Sequence, residues 1–592
     1  MSRYGTAVKS AGQSIREGDD SFIGMNMELD RSTLAQGYYA LAINKRVNDG
    51  IAAKRGGTIT PGFANLYAPR VLYGSGLYSN PNGVEVILEA ITHTMIDMSI
   101  EHSVQMIRCG AYPTTVAVPA GAFNNVDRVE FSQDFDKVQL HRSNANGDLF
   151  PRLAWDGVNP TGFTVVVMTT PLDTSKALIP GVAWSVNMSD RDVFPISNDT
   201  FGVSLLADYS MWDPIFGAYR VSSASAAPLV GLFPFGQGQL VIGKQRSIYR
   251  AINFSGDLST AAIEVVTNEV GVWARLSFKM IGSDAIFLSR TGFYRMSQTD
   301  QTLLQTSPVP VGAHQDALGR VTDPIAPLIA RINWAYADKA VSAVLSPYYF
   351  CAVPIDGSTV NNAVLVYNTI SDSWDAYDTW DAGSGFQIDN LIVTDYQGTP
   401  HVYCVNNNAF TRGIHVLYLD TAEWDTTAVG QFEITDLFET RGYATLVFIT
   451  ESNEYGATTR REIQRADIAL RTWRPNFTVT QLSESAFDER VLASNITKDR
   501  TKVLTWGKPN YDPSNVTDQA MQPGREDYSV ALPVYPKSGI VLQKRQEDVL
   551  RLSIHGRARW VSYRIQSNQG RCDVAGVLLE SKPIQRNLRR AS

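Results

Sequence analysis

Short runs of alternating apolar and polar residues, separated by turn residues, dominate the chain from about residue 70 onwards. Such alternation is typical of half-buried β-strands, because successive side chains point to opposite faces of a sheet. Hairpin-sized pairs of such runs lie within residues 83–98, 126–141 and 284–295. Gly, Pro, Asn, Asp and Ser are spread evenly, as expected for many short strands joined by turns. The pattern predicts an all-β protein.

Two of these units share a recurring strand–turn–strand. Residues 231–250 and 284–295 each hold a strand, a polar turn and a second strand that ends in Tyr-Arg, at Tyr249 and Tyr294. Recurrence at this length is typical of the blades of a β-propeller. Roughly five to seven such units fit between residues 70 and 425, within the usual range of about four to eight blades. We therefore predict a β-propeller-like domain over residues 71–430, with an array of sandwiches as the alternative.

The flanks differ from this centre. Residues 1–21 are polar and aperiodic, and we expect a flexible N-terminal arm that orders against a partner. Residues 22–70 contain the tight-turn signal Asn48-Asp49-Gly50 and are predicted to be a β segment of a platform or tube wall. Residues 431–581 hold longer, more charged strands, which indicates a platform domain resembling a β-sandwich or β-barrel. Residues 582–592 are predicted to be a basic tail.

Size and charge narrow the classes of function. With 592 residues the chain is long enough for more than one core. The net charge of −7 excludes a general nucleic-acid-coating protein, but it is compatible with a channel wall along which a polyanion slides. No segment approaches the ~20 apolar residues of a membrane span, and the start lacks the apolar core of a secretory signal. We expect a protein made in the cytoplasm that stays soluble or joins an assembly.

The residue types that usually ligate metals are dispersed. The four cysteines are far apart and form no Cys-x-x-Cys pair: Cys109, Cys351, Cys404 and Cys572. The second and third lie in apolar strands, which indicates buried thiols. Three histidines fall in or beside strands, where structural imidazoles are expected: His93, His401 and His415. We predict no metal site and no cofactor.

Two motifs that suggest nucleotide or sugar chemistry are incomplete. Residues 238–245 nearly match a phosphate-binding loop, but Gln245 follows Lys244 where a magnesium-binding hydroxyl is required. Asp372 and Asp375 resemble part of the Asp-box turn of sialidase propellers, but Trp374 occupies the place of the required glycine. A strand running into a turn, and a turn with a buried aromatic ring, explain the two segments.

Other residues could serve a glycosidase. Four acidic residues are candidates for paired carboxylates: Asp208, Asp213, Asp436 and Glu439. Sequence spacing does not bring them together, and Asp is common at turns. Tryptophans could form a sugar platform, but their spread of one or two per unit indicates core residues: Trp184, Trp212, Trp273, Trp334, Trp374, Trp473, Trp506 and Trp560. We predict no catalytic, cofactor-binding or metal-binding residues.

Several short segments, in a fixed order, resemble the β-propeller tail proteins of short-tailed bacteriophages, called nozzle, tail tubular protein B or tail hub proteins. The N-terminal segments are residues 24–26, 37–44 and 54–57. The central segments are residues 209–214, 231–232, 244–249, 271–272, 287–294 and 364–374. The C-terminal segments are residues 440–443, 511–515 and 525–528. Their collinear order over most of the chain carries the resemblance, since no single motif is strong.

The resemblance implies a structural protein of the virion tail. In this family six copies usually close a homo-hexameric ring that continues the DNA channel from a dodecameric tail adaptor and docks tail fibres or spikes. The propeller lies outside, and other β elements build the channel wall. A closed propeller leaves few exposed edges, and a head-to-tail contact that closes by rotation gives a ring. The implied role is to line and gate the channel for DNA ejection and viral genome entry, without sequence-specific binding of the genomic DNA.

Two other classes of function stay open from the sequence. A propeller glycosidase or capsule depolymerase requires carboxylates clustered on one propeller face. A receptor-binding adhesin is typically a trimer with coiled-coil or β-helix repeats, and the sequence displays neither. Within the resembled family, tail hub and head-completion proteins are alternatives to the nozzle.

Overall fold

The computed structural model describes most of the chain between residues 15 and 583. The described ranges are 15–59, 70–80, 83–94, 99–108, 113–134, 137–157, 161–171, 181–221, 227–236, 238–297, 309–310, 314–315, 321–380, 386–396, 398–408, 412–419, 436–441, 443, 461–483, 489–496, 502–506, 542–546, 548–558 and 560–583. Strands account for 62% of the structure and helices for 4%. The predicted all-β fold class is therefore confirmed.

Six short strands precede the repeated sheets. They are β1 (Ile15–Asp19), β2 (Gly24–Met25), β3 (Tyr38–Ile43), β4 (Lys45–Asn48), β5 (Ile51–Lys54) and β6 (Gly57–Ile59), with a 3-10 turn at Arg31–Thr33. The predicted hairpin joins β4 to β5. Asp49 and Gly50 have φ of 49° and 75°, the left-handed values that a tight two-residue turn between antiparallel strands requires.

Seven antiparallel sheets then follow in chain order, and we call them blades 1 to 7. Blade 1 contains β7 (Arg70–Ser79), β8 (Glu85–Thr94), β9 (Ile100–Ile107) and β10 (Thr114–Ala117). Blade 2 contains β11 (Arg128–Asp134), β12 (Lys137–Ser143), β13 (Leu149–Trp155) and β14 (Thr164–Val166). Blade 3 contains β15 (Val186–Asn187), β16 (Asp192–Pro195), β17 (Thr200–Leu205), β18 (Asp208–Trp212) and β19 (Ala218–Arg220), the last two both pairing with β17.

Blades 4 and 5 follow in the chain. Blade 4 contains β20 (Leu229–Pro234), β21 (Leu240–Lys244), β22 (Ile248–Ile252) and β23 (Ala262–Thr267). Blade 5 contains β24 (Lys279–Ile281), β25 (Asp284–Ser289), β26 (Gly292–Ser297) and β27 (Val309–Pro310). A small hairpin, β28 (His314–Gln315) and β29 (Val321–Thr322), and helix α1 (Ala326–Arg331) come next. Further 3-10 turns are Leu258–Thr260, Arg275–Ser277 and Ala337–Lys339.

Blades 6 and 7 complete the series. Blade 6 contains β30 (Val341–Leu345), β31 (Tyr348–Val353), β32 (Ala363–Asn368) and β33 (Ser373–Asp378). Blade 7 contains β34 (Ile388–Tyr396), β35 (Thr399–Asn406) and β36 (Gly413–Leu419), and β6 from the N-terminal region is its fourth strand. This N-terminal strand pairs with β36, so the last blade is completed by a segment that precedes the first blade in the chain.

The first strands of neighbouring blades contact one another and close a ring. β7 contacts β11, β11 contacts β15, β15 contacts β20, β24 contacts β30, β30 contacts β34, and β34 returns to β7. Blades 4 and 5 pack through stacked rings, with Phe278 centred 4.0 Å from Phe233 and 5.7 Å from Phe287. The described residues thus form a seven-bladed propeller, at the upper limit of the range that the sequence predicts.

The C-terminal strands form a different kind of sheet. They are β37 (Asp436–Thr440), β38 (Arg461–Ser483), β39 (Arg490–Ile496), β40 (Lys502–Trp506), β41 (Leu542–Gln546), β42 (Asp548–Ala558) and β43 (Val561–Pro583). The long strands β38 and β43 pair with each other and with β37, β39, β42 and the N-terminal strands β1 and β5. We call the sheet of β1–β5, β37–β39, β42 and β43 the platform sheet.

The platform sheet is continuous with blade 6. Strand β3 pairs with β37 on one side, and Ile43 of β3 pairs with Tyr377 of β33 on the other. A single apolar core of buried residues reaches from blades 5 and 6 into the platform sheet and includes Trp374, Phe438 and Ile565. The N-terminal strands therefore lie between the propeller and the long C-terminal strands.

Two details of the N-terminal region were not predicted from the sequence. The predicted arm covers residues 1–21, but Ile15–Asp19 form β1 and pair with residues 577–581 of β43. The segment 22–70 was assigned to the platform, but Gly57–Ile59 pair with β36 of the propeller. Both strands are short and lack clear alternation, so only their long-range partners define them. Residues 1–14 and the tail from 584 onwards lie outside the described residues.

Candidate functional site

The four candidate acids lie in two separate sheets. Asp208 and Asp213 border strand β18 of blade 3, and each organises its own turn: Asp208 accepts from the Ser210 N–H at 2.8 Å and Asp213 from the Ile215 N–H at 2.8 Å. Asp436 and Glu439 lie on β37 of the platform sheet, where both are buried. The structure does not bring the two pairs together.

Buried ionisable side chains instead gather where blade 6 meets the platform sheet. We call this set the charged seam. It comprises Lys45, Arg46, Lys54, Arg55, Asp375, Asp378 and Asp436. The cations come from the N-terminal strands β4 and β5 and the residue after them, and the carboxylates come from β33 and β37. Because buried charges are costly unless paired, the seam depends on the match between these three regions of the chain.

Asp436 faces two lysines. Its carboxylate is in direct contact with Lys45 and lies 4.0 Å from the Nζ of Lys54, and all three side chains are almost fully buried. Burial lowers the pKa of Lys45, but the nearby carboxylate of Asp436 outweighs it and the pKa is raised overall. For Lys54, burial lowers the pKa and dominates, because Asp436 is farther away and Lys45 adds repulsion. Lys45 also donates to the carbonyl oxygen of Cys572 in β43.

Asp378 holds the two arginines of the seam. Arg46 donates to both carboxylate oxygens of Asp378, at 3.0 and 2.5 Å, in the two-pronged geometry that favours guanidinium–carboxylate pairs. The Nε of Arg55 lies 3.7 Å from the same carboxylate and donates to the side-chain oxygen of Asn44 at 2.9 Å. The guanidinium of Arg55 also lies over the ring of Trp380, 4.6 Å from its centre. These contacts attach the N-terminal strands to blade 6.

Asp375 contributes a buried carboxyl beside these pairs. It accepts a hydrogen bond from the backbone N–H of Val47 at 3.0 Å. Burial raises the pKa of Asp375 to about 7, although the hydrogen bond from Val47 and the charge of Arg46 oppose the shift. The carboxyl therefore titrates near neutral pH in the folded protein.

A second group of ion pairs joins β1 and the C-terminal strands. The buried guanidinium of Arg441 donates from Nε to Asp19 at 2.9 Å and lies 3.2 Å from Glu17. Glu439, the fourth candidate acid, contacts Arg31 and accepts from the Nε of Arg564. Every carboxylate nominated on β37 is thus engaged by basic side chains of distant segments, an arrangement suited to holding strands together.

The other nominated residues occupy structural positions. Lys244 ends the buried strand β21, so the strand-and-turn interpretation of residues 238–245 is confirmed. Cys351, Cys404 and Cys572 are buried thiols, and burial raises the pKa of each. Cys109 lies outside the described residues. His93 lies 3.2 Å from Glu101, His401 contacts the Thr399 hydroxyl at 3.0 Å, and His415 packs on Phe386.

The tryptophans are distributed among separate cores. Trp184, Trp212 and Trp374 are buried, and Trp374 is fully enclosed in blade 6. Trp273 and Trp334 form an edge-to-face pair with ring centres 5.7 Å apart, and Trp560 is half-buried. The side chains of Trp473 and Trp506 lie outside the described residues. The described rings therefore do not share one surface.

One serine–histidine cluster was not singled out in the sequence. His141 Nε2 lies 2.9 Å from the Ser132 hydroxyl and 3.0 Å from the Ser185 hydroxyl, between blades 2 and 3. Burial and the charge of Arg152 lower the pKa of His141 to about 3, so the ring is neutral. Because the imidazole is buried and its pKa lies far below neutral pH, the cluster resembles a polar contact between blades more than a nucleophile with its base.

Within the described part of the chain, no three His, Cys, Asp or Glu residues are placed to hold a metal ion. None of the helices described there is long and apolar enough to cross a bilayer.

No family model matches the chain, and neither does any curated protein. Among solved structures, the computationally designed Ika8 protein is 10% identical, with 60% of this chain and 98% of that chain covered and a TM-score of 0.31. The extracellular domain of the putative one-component system BT4673 from B. thetaiotaomicron is 8% identical, with coverages of 78% and 58% and a TM-score of 0.37. A glycoside hydrolase is 9% identical, with coverages of 88% and 99% and a TM-score of 0.25. Likenesses at this level carry no argument about function.

Proposed function

We propose that the chain is a structural protein of a virion, which forms the distal tail nozzle of a short-tailed bacteriophage as a hexameric ring. In this role it lines and gates the channel for DNA ejection, contacts a dodecameric tail adaptor and docks tail fibres or spikes. The proposal gives the chain no catalytic role. It starts from the collinear sequence resemblance and is supported by the two-part architecture.

The observation that carries the proposal is that the platform sheet, which is attached to the closed propeller, ends in an edge strand that is paired on one side only among the described residues. The propeller closes on itself through contacts between neighbouring blades, and the outer strands that its blades leave unpaired on one side are short, with two to six residues each. The platform sheet, in contrast, has β39 at one end, and among the described residues this strand pairs only with β38. Val491 on β39 is 58% exposed. An edge strand with an exposed apolar side chain is a site at which another chain can pair or pack.

The length of the platform strands also suits a wall shared between copies. β38 and β43 have 23 residues each. At about 3.3 Å per residue such strands reach roughly 75 Å, several times the length of a typical strand. In the proposed ring, six such pairs stand side by side around the channel, and the propellers lie outside them. The acidic net charge of the chain limits adhesion of the passing DNA.

Negative-stain images of the purified, concentrated chain test this proposal. We expect six-fold rings with a central opening and one outer lobe per subunit, the lobe being the propeller. Isolated two-lobed particles at every concentration would count against the ring, and trimers would favour the adhesin. Release of sugars from bacterial capsular polysaccharide incubated with the same preparation would favour the depolymerase.

A further inference from the structure

Charged side chains from four blades surround one mouth of the propeller. In a propeller the first strand of each blade runs in the same direction along the axis, so residues at the starts of these strands lie around one opening. At this opening are Arg128 at the start of β11, Lys279 at the start of β24 and Asp389 in β34. The 3-10 turns before β24 and β30 add Arg275 and Lys339. We call this end of the propeller the charged mouth.

An ion pair crosses the charged mouth. Arg275, which enters blade 5, contacts the carboxylate of Glu130 in blade 2. Blades 2 and 5 are well separated around a ring of seven, so this contact spans the axis. Glu130 is also 2.9 Å from Arg128 of its own strand. The guanidinium of Arg275 lies over the ring of Trp184 at the entry to blade 3, 4.9 Å from its centre. Three blades thus fix the position of Arg275.

The charges of the mouth are unevenly balanced. The carboxylate of Asp389 in blade 7 lies near two cations, Arg128 and Lys339, and near the carboxylate of Glu89. Between blades 2 and 5, Arg128 and Arg275 share the carboxylate of Glu130, and Lys279 lies near Arg275, so the four cations of the mouth outnumber the carboxylates of Glu130, Asp389 and Glu89 by one. Lys279 is half-buried and forms no ion pair with any residue that the structure describes.

The pKa values of Arg275 and Lys279 reflect the closeness of neighbouring cations. Burial lowers the pKa of Arg275 to about 9, and the neighbouring charge of Arg128 contributes to this shift. Burial also lowers the pKa of Lys279, with a contribution from Arg275. Each cation therefore raises the cost of charging the next. An anion between them would relieve this repulsion, because it would supply the negative charge by which the carboxylates of the mouth fall short of the cations.

We propose that Arg128, Arg275 and Lys279 form a binding site for a compact, doubly charged oxyanion, a phosphate or sulfate group, at the mouth of the propeller. The planar guanidinium groups suit the paired oxygens of such a group, and the lysine supplies a point charge. Arg128 is 44% exposed, which gives the anion access from solvent. Glu130 and Trp184 keep Arg275 in place. The site lies within one chain, so it does not depend on the proposed ring.

Two sources can supply the same chemistry: the free inorganic anion, or a sulfate or phosphate group carried by a saccharide. Calorimetric titration of the full chain in a low-chloride buffer separates them, with sodium sulfate, sodium phosphate, glucosamine 6-sulfate and glucose 6-phosphate as probes. Tighter binding of either sugar ester than of its free anion assigns the site to the carried group. Equal or weaker binding of both esters assigns it to the free anion.

The residues are tested with a double variant, Arg128→Gln with Lys279→Gln, and a matched control, Lys137→Gln. Lys137 starts β12, beyond the far end of β11, so it lies at the opposite end of blade 2. We expect the double variant to weaken anion binding by at least about tenfold, and the control to leave it unchanged within about twofold. Titration in added sodium chloride should weaken the wild-type binding, because the attraction is screened.

The proposal is overturned if the wild-type chain takes up none of the four probes saturably, or if the double variant binds them as tightly as the wild type. Equal weakening in Lys137→Gln would also overturn it, because the effect would then follow net charge and not the mouth. Lys279→Gln alone breaks no ion pair among the described residues. If the double variant has a lowered melting temperature, the titration is therefore repeated with Lys279→Gln alone, and anion binding as tight as that of the wild type again overturns the proposal.

Discussion

The strands of the propeller blades have between two and ten residues, whereas β38 and β43 of the platform sheet have 23 residues each. Blades 4 and 5 pack on one another through apolar side chains, as in the cluster of Phe233, Phe278 and Phe287, whereas blades 2 and 3 are also joined by the buried pair of Arg152 and Asp192. The platform sheet is joined to blade 6 by an apolar core and, beside it, by the buried ion pairs of the charged seam. Two antiparallel β regions of one chain thus use different means to hold their parts together.

This difference has an energetic consequence. Where blades pack through apolar side chains, stability follows the volume of these side chains removed from water, and a truncation leaves a cavity. At the charged seam, loss of one partner leaves the other charge buried without compensation. The apolar contacts of the propeller should therefore respond to changes in side-chain size, and the seam to changes in charge. The following variants test that contrast, from the largest expected effect to the smallest.

Asp436→Ala should lower the free energy of unfolding by about 5 kcal/mol, the upper end for a broken buried pair, because Lys45 and Lys54 both lose their shared carboxylate. Denaturant unfolding followed by tryptophan fluorescence measures the change. The matched control is Glu489→Ala, just before β39 of the same sheet, whose carboxylate is half-exposed and 3.4 Å from Arg564. Equal stabilities of the two variants would contradict a structural role for the seam.

Trp374→Ala should lower the free energy of unfolding by about 3–5 kcal/mol, because a fully buried ring leaves a large cavity. The ring packs against Phe293 and Tyr367, with centres 5.0 and 5.3 Å away. Thermal unfolding, compared with Ile370→Ala in the turn before the same strand, checks this. Ile370 is 83% exposed, and its truncation should leave the melting temperature nearly unchanged. An equal effect of both would show that Trp374 does not anchor blade 6.

Asp375→Asn should change how stability depends on pH. The folded-state pKa of Asp375 is about 7, well above about 3.9 for the unfolded chain. Between these values the folded state binds more protons, so the free energy of unfolding falls as pH rises from about 4 to about 7. The amide keeps an acceptor for the Val47 N–H but cannot ionise. We expect the variant to gain about 4 kcal/mol relative to wild type between pH 4 and pH 8.

Unfolding measurements at several pH values test this. The quantity compared at each pH is the difference in the free energy of unfolding between Asp375→Asn and the wild type. Asp134 and Asp389 also have raised pKa values, to about 8 and about 6. They contribute the same slope to wild type and variant, so their contribution cancels. A constant difference across this pH range would mean that Asp375 does not titrate there.

Glu264→Ala should have the smallest effect, within about 1 kcal/mol. Glu264 lies on β23 and accepts from Arg250 at 2.8 Å, but both side chains are substantially exposed and the pair is screened by water. Chemical unfolding at low and at high salt measures the contribution. A loss as large as that of Asp436→Ala would remove the contrast between surface pairs on the propeller and the buried pairs of the seam.

The sequence predicted what depends on local patterns. Alternation predicted the all-β class, Asn48-Asp49-Gly50 predicted the hairpin of β4 and β5, and apolar surroundings predicted the buried thiols of Cys351 and Cys404. The spread of tryptophans, one or two per unit, predicted the buried position of Trp374. Each of these features is decided by neighbours within a few residues.

The charged seam could not be predicted, because its partners are hundreds of residues apart. Lys45 and Asp436, or Arg46 and Asp378, come together only in the folded chain, where the N-terminal strands lie between blade 6 and the C-terminal strands. Strand β6 likewise carries no pattern that indicates its pairing with β36. The virion function stays a prediction. It rests on the collinear order of short segments that resemble the tail proteins, and not on a reactive site whose geometry the structure could test.

The mass of the purified chain in solution tests the proposed ring most directly. Light scattering over a range of concentrations should give a particle of about 390 kDa, six times the 65.2-kDa chain. A mass that stays at that of one chain or three chains at every concentration, alone and with the adaptor added, would contradict the account.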